Sequence, residues 1–400
     1  MTIEGRERPG EYPPNGSSRI ESLDVIRGFA VLGIFFVNVP EMIGSGISFQ
    51  PSYSGSDAAV RLLYDMFFQT KFYSIFAFLF GLSFYFFMQR AEQQGKPARR
   101  LFSRRLGILL LIGLLHAVLL WYGDILYTYA LLGFLLLLFY RRSSKNVLVW
   151  GVVLTGLYAA VVSLLILLMN GLGMSAELSS PEFADVPGWK ERAAYLLGDG
   201  LPNVLFIGIE VLGLFLLGLH AGKKGWLEGD AGAGAKPLRV AQWTALLLSG
   251  LLFIPMLRYY FSHESYTPME IFHLTHLSGK TMAVFYICTL LRLIRRYGAH
   301  RLEDFAAIGR TALSNYLAQS LLTWAALLAL GDAAADLPLW AGAVYCIAIS
   351  LLLTLGSRIW LRSFRMGPAE WLWRAGTYGT LPPLARTPKA PGTHSGGLGH

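Results

Sequence analysis

The chain has 400 residues, 54% of them hydrophobic and only 15% charged, with a formal net charge of +9. Apolar runs long enough to cross a bilayer recur from end to end, which excludes a soluble globular fold for the chain as a whole. The basic residues lie in short clusters between those runs, so membrane topology accounts for the charge and no nucleic-acid partner is expected.

The N-terminal segment 1–18 is polar and rich in Pro and Gly and reads as a disordered tail, with no cleavable signal peptide after it. About ten spanning helices follow, near 24–43, 72–89, 105–122, 124–140, 147–169, 201–220, 238–261, 276–294, 311–330 and 338–360, which makes an all-α polytopic bundle over 19–362. Residues 57–68 form an amphipathic stretch on the outer side, and 363–378 mix Trp, Arg and Tyr as an inner-surface helix does. The segment 379–400 reads as a second disordered tail. The two cysteines, Cys288 and Cys346, sit inside apolar runs and suggest neither a disulfide framework nor a metal knuckle.

Lys and Arg alternate between loops. Clusters at 90–105, 141–145, 223–239, 292–301 and 358–374 face basic-poor or acidic loops at 121–124, 170–200, 262–275 and 331–337. The positive-inside rule then places both termini in the cytoplasm.

Polar groups inside the apolar runs are functional candidates, because each is expensive in a bilayer. In the first helix Asp24 and Arg27 share a face at the cytoplasmic entrance, either as a snorkelling pair that sets helix depth or as a cationic mouth for a phosphorylated ligand. Asn38 lies inside the same span, where it can bridge helices or hold a substrate oxygen, and Glu41 lies one turn further out. In GLLHAVLLWYGDIL (113–126), Gly123 turns the chain and Asp124 opens the fourth helix near the outer surface. Asp124 has a ready structural reading as a helix cap; His116 beside a lone carboxylate has the makings of a general base. Glu210, midway along the sixth span, needs a partner, and Lys280 is the candidate, with a structural role as open as a catalytic one. The outer loop carries His263, Glu264, Glu270, His273 and His276; its spacing matches no metal signature, so none is expected, and His273 and His276 read as acceptor-facing. Finally, in GRTALSNYLAQSLL (309–322), Arg310 lies at the cytoplasmic edge, and Asn315, Tyr316 and Gln319 form a polar stripe, for interhelical bonding or a wet channel wall.

Three stretches, SLDVIRGFAVLGIFFVN, GLLHAVLLWYGDILYTYALLGF, and GRTALSNYLAQSLL with FRMGPAEWLWRAGTYG, resemble the YeiB-type family of bacterial membrane proteins, over nearly the whole chain from Arg19 to about Gly379. The LDxxRG opening also resembles the first helix of the transmembrane acyltransferase superfamily, which includes heparan-alpha-glucosaminide N-acetyltransferase. That resemblance implies a bundle that takes acyl-CoA, such as acetyl-CoA, from the cytoplasm and passes the acyl group to a glycan or small-molecule acceptor outside. Arg27 matches the family arginine of the first helix and Asn38 its asparagine, while the histidine of other relatives is missing from this position, leaving His116 as its replacement. On this reading Arg27, Asp24, Arg310, Asn315, Tyr316 and Gln319 bind acyl-CoA. His116, Asp124 and Asn38 carry the chemistry, and Glu41, His273 and His276 meet the acceptor. The expected setting is the bacterial cytoplasmic membrane, among its lipids, with the oligomeric state open, a homo-oligomer included. The alternative is a transporter or exporter that uses the same ionisable groups as a proton relay, against which stand the lack of an internal repeat and of paired broken helices.

Overall fold

The computed structural model describes residues 14–42, 52–174, 188–226, 235–334 and 337–386. Its regular elements are helices, and the β pairing among the described residues is confined to two isolated bridges, Tyr53 with Tyr266 and Phe364 with Ala385. In chain order the helices are α1 (Pro14–Met42), α2 (Gly55–Phe67), α3 (Lys71–Gln93), α4 (Ala98–Leu119), α5 (Leu126–Phe139), α6 (Ser144–Gly171), α7 (Trp189–Tyr195), α8 (Leu201–Lys223), α9 (Ala235–Ser262), α10 (Phe272–Tyr297), α11 (Glu303–Arg310), α12 (Ala312–Leu330), α13 (Leu339–Ser363) and α14 (Pro368–Tyr378).

Among the described residues, nine helical stretches are long and apolar enough to span a bilayer. They correspond to nine of the ten expected spans, and the protein is a multi-pass helical bundle. The tenth, α5, has 14 residues and rises about 21 Å, well short of a ~30 Å hydrocarbon layer. In the turn from α4 to α5, Trp121 and Asp124 are buried. Ile125 and Leu126 at the end of that turn pack against the apolar cluster that α1, α3, α10 and Tyr316 of α12 build.

Helices α1 and α11 meet backbone to backbone. A Cβ on Gly28 would lie 1.8 Å from Phe305 O, and one on Gly309 would lie 1.8 Å from Asp24 O, so only glycine permits the approach. That contact sets the basic ends of α1 and α11 side by side.

The amphipathic stretches form helices α2 and α14. Helix α14 is tied to the basic end of the bundle. The Glu370 carboxylate accepts from Leu313 N at 2.6 Å and Ser314 Oγ at 2.5 Å, which satisfies the orphan amides at the start of α12. Trp373 Nε1 donates to Arg105 O at 2.8 Å, and Arg104 donates to Gly376 O at 2.9 Å. Two tail expectations change at their inner edges. Helix α1 begins at Pro14, inside the segment expected to be a tail, whose residues 1–13 lie outside the described ones. Residues 380–386 fold back, with Arg365 N bonded to Leu384 O and Arg386 N to Ser363 O, both at 2.9 Å, while 387–400 lie outside.

Candidate functional site

Helix α4, the turn that opens α5 and helix α12 bring three polar side chains together. His116 Nδ1 lies 2.7 Å from Asp124 Oδ2. Tyr316 OH lies 3.3 Å from the same oxygen and can donate to it, and its ring is 5.3 Å from the imidazole. All three residues are buried. The other carboxylate oxygen, Oδ1, accepts from Leu126 N at 2.7 Å and Tyr127 N at 3.1 Å. Asp124 is thus the helix cap and the histidine's partner at once, one oxygen for each. The Nδ1 contact is short but does not have the alignment of a formed hydrogen bond. A carboxylate at Nδ1 favours the tautomer protonated there and leaves Nε2 as a proton acceptor. Nε2 is buried and has no hydrogen-bond partner among the described residues, as has Gln319 Oε1.

The pair is roofed from the side away from the basic loops. Arg192 of α7 donates to Val118 O, Leu119 O and Leu120 O at 2.8, 2.9 and 3.1 Å, and so closes the carbonyl end of α4 three residues past His116. Nothing in the sequence pattern marks Arg192, because an arginine in a loop is ordinary until its target is known.

The polar stripe of α12 divides. Asn315 is used within the fold: its Nδ2 lies 2.8 Å from Thr311 Oγ1 and 3.0 Å from Ser357 Oγ, joining α12 to α13. Tyr316 belongs to the His116–Asp124 group. Gln319 Nε2 donates to Val31 O of α1 at 3.1 Å. The three residues therefore do not line one wall.

At the basic end, Arg27 pairs with Asp24 at 2.9 Å and reaches Gly309 O at 3.5 Å and Ser83 Oγ at 3.4 Å. The charges of Arg310 and Arg374 also act on Asp24. Arg105 joins them on the α4 side, its guanidinium 3.5 Å over the Trp373 ring. Arg105 and Trp373 were legible only as members of a basic loop and an interfacial helix.

At the opposite end of α1, Asn38 is buried seven residues, ~10 Å, beyond Val31 and makes no hydrogen bond to His116 or Asp124. Glu41 lies near enough to Tyr122 of the α4–α5 turn for its charge to act on that phenol.

His276 is not on an acceptor-facing loop surface. It is buried in a second polar group between α3, α8 and α10: Lys280 Nζ lies 2.5 Å from Glu210 Oε1, and His276 Nε2 lies 3.1 Å from the same carboxylate and 2.9 Å from Lys280 Nζ. Tyr73 OH donates to Glu210 Oε2 at 2.5 Å, and Tyr129 OH donates to Tyr73 O at 2.9 Å. Glu210 has found its expected partner, with His276 and Tyr73 added. His273 is half-buried and joins neither group. Beside this group, Lys71 is fully buried and held by Asp65 O at 2.5 Å and Ser278 Oγ at 3.1 Å. It follows Thr70, whose φ of 67° breaks α2 from α3. A single lysine opening an apolar run was the available signal for it. Among the described residues no cluster of three His, Cys, Asp or Glu could hold a metal ion.

Residues 221–380 match the family model described as "Protein of unknown function (DUF418)". The chain is 34% identical to "Uncharacterized protein YxaH" of Bacillus subtilis, with 94% of this chain and 98% of that one covered. It is 29% identical to "Uncharacterized protein YeiB" of Escherichia coli, with 88% and 94% covered. A protein described as "Uncharacterized 39.9 kDa protein in amylase 3'region" of Bacillus acidopullulyticus is likewise 29% identical, over 92% and 96%. No solved structure matches.

Proposed function

For a chain that belongs to the YeiB-type family of membrane proteins, with its DUF418 region, we propose transmembrane acyl transfer. An acyl group, acetyl in the simplest case, passes from acyl-CoA at the basic end to a hydroxyl or amine of a glycan or small-molecule acceptor arriving from the other side. The basic end is cytoplasmic by the positive-inside rule, and the setting is the bacterial cytoplasmic membrane.

The observation that carries this reading is the buried His116 with Nδ1 on Asp124 and Nε2 without a partner. His116 Nε2 takes the proton of the acceptor, whose oxygen or nitrogen attacks the thioester carbonyl carbon. The carbon–sulfur bond breaks, and the imidazolium returns the proton to the departing thiolate. Asp124 stabilises the imidazolium, and Tyr316 helps to hold Asp124. Arg27, Arg310 and their neighbours Arg105 and Arg374 supply the positive charge for the phosphates. Asn38 and Glu41 lie further out along α1, on the acceptor's way in. The resemblance of the first helix to transmembrane acyltransferases supports the same reading.

The test is acetyl-CoA itself. Ligand at about 100 times its dissociation constant stabilises the protein by roughly 2.7 kcal/mol, seen as a rise in Tm, and a radiolabelled acetyl group is lost from the thioester when acceptor is supplied. A well-folded protein with no shift on any acyl-CoA overturns the reading. A transporter is the second reading, favoured by the buried Glu210–His276–Lys280 group, whose mutually dependent charges suit a proton relay; substrate flux in vesicles without acyl-CoA would establish it.

A further inference from the structure

Helix α9 is the outlier of the bundle: its main neighbours are α10 and, near its far end, α2. Between α9 and α10 runs an open groove of about 790 Å³. Val240, Thr244 and Leu248 of α9 and Val284 of α10 line it, with Lys236 at the basic end. Lys280 closes the other end, at the level where Ser249 Oγ meets Thr281 Oγ1 at 2.6 Å. The Lys280 ammonium is turned away to Glu210, so the groove meets its apolar stem and not its charge.

The dimensions say what fits. From Lys236 to Leu248 is 12 residues of helix (248 − 236), ~18 Å, close to one leaflet of a ~30 Å hydrocarbon layer. The groove starts at the basic end and stops near mid-depth. Lys236 and Arg239, three apart and so on one face, are exposed where the headgroups of that leaflet lie. A surface so apolar, at membrane depth and with exposed cations at its mouth, fits a lipid tail below an anionic headgroup and not a polar solute.

We propose that this groove binds one acyl chain of an anionic phospholipid of the cytoplasmic leaflet, with its phosphate on Lys236 and Arg239. The site is separate from the His116–Asp124 group and stands or falls independently of the acyl-transfer reading. Two cations near a membrane surface correspond to a preference for anionic over zwitterionic headgroups of roughly 10- to 30-fold.

The experiment reconstitutes the full chain in nanodiscs of phosphatidylglycerol and phosphatidylcholine with matched chains, then counts the lipids retained after transfer to mild detergent by native mass spectrometry. The expected result is one retained phosphatidylglycerol per chain. The double variant Lys236→Glu, Arg239→Glu, at exposed positions, brings the headgroup preference close to one. Thr244→Trp, which fills the groove, removes the retained lipid while the elution volume stays that of the parent. If Thr244→Trp does not fold, the charge variant still decides. Equal retention of both lipids by the parent, retention of none, or an unchanged preference in the charge variant overturns the proposal.

Discussion

His116 Nδ1 and Asp124 Oδ2 stand 2.7 Å apart across the α4–α5 turn, while the other oxygen of Asp124 holds the first amides of α5. One carboxylate is shared between a helix end and an imidazole, so the variants separate its two duties. His116→Ala is expected to lower acyl transfer by about 10²–10⁴-fold with acetyl-CoA binding kept. Asp124→Asn keeps an acceptor for the amides and slows transfer less. Asp124→Ala loses the cap as well and costs a further ~1 kcal/mol of stability. Turnover and Tm for the three variants are the measurement, and full activity in His116→Ala removes the histidine from the mechanism.

Arg27 tests the basic mouth. Arg27→Ala is expected to weaken the acetyl-CoA-dependent rise in Tm, and also to lower the Tm of the free protein, because Asp24 loses its 2.9 Å partner. The double variant Asp24→Asn, Arg27→Ala removes that second effect. An acetyl-CoA shift as large in the double variant as in the parent shows that Arg27 does not meet the phosphates.

Glu210 and Lys280 form a pair whose removal is predicted to be non-additive. Glu210→Gln or Lys280→Met alone leaves a buried charge without its partner and costs roughly 3–5 kcal/mol. The double variant recovers most of that loss. Thermal unfolding of the four proteins in one detergent gives the coupling, and additive losses would mean that the two groups do not depend on each other.

Glu370 links the surface helix α14 to α12, and its carboxyl is raised above the ordinary range by burial, against which its bonds to Ser314 and Leu313 act. A carboxyl raised on folding contributes stability below its unfolded pKa and loses it as pH rises through the folded value. The Tm difference between the parent and Glu370→Gln should therefore change as pH rises above the ordinary Glu value of about 4.3, with the parent relatively more stable at the acid end. Glu370→Ala, which orphans the α12 amides, is expected to cost roughly 1–3 kcal/mol at either end. A pH-independent difference for Glu370→Gln argues against the raised carboxyl.

The sequence by itself determined the helical bundle, because a long apolar run has few other ways to satisfy its backbone in lipid. It also marked polar residues that meet across helices, since each broke an apolar run: His116 and Asp124 are buried and in contact, and buried Glu210 meets a partly buried Lys280. Local spacing carried the Asp24–Arg27 pair, because residues three apart on a helix must share a face. Only the tertiary structure decided which helices face each other. It separated Asn315, Tyr316 and Gln319, one stripe in sequence, among α13, Asp124 and α1. It moved His276 from a loop surface to Glu210, and it gave Arg192 and Tyr73 partners 74 and 137 positions away. It also buried Asp124 inside the bundle, at the head of a helix too short to span. Periodicity fixes the face a residue occupies on its own helix. The neighbour across that face depends on packing between distant parts of the chain, which no local pattern encodes.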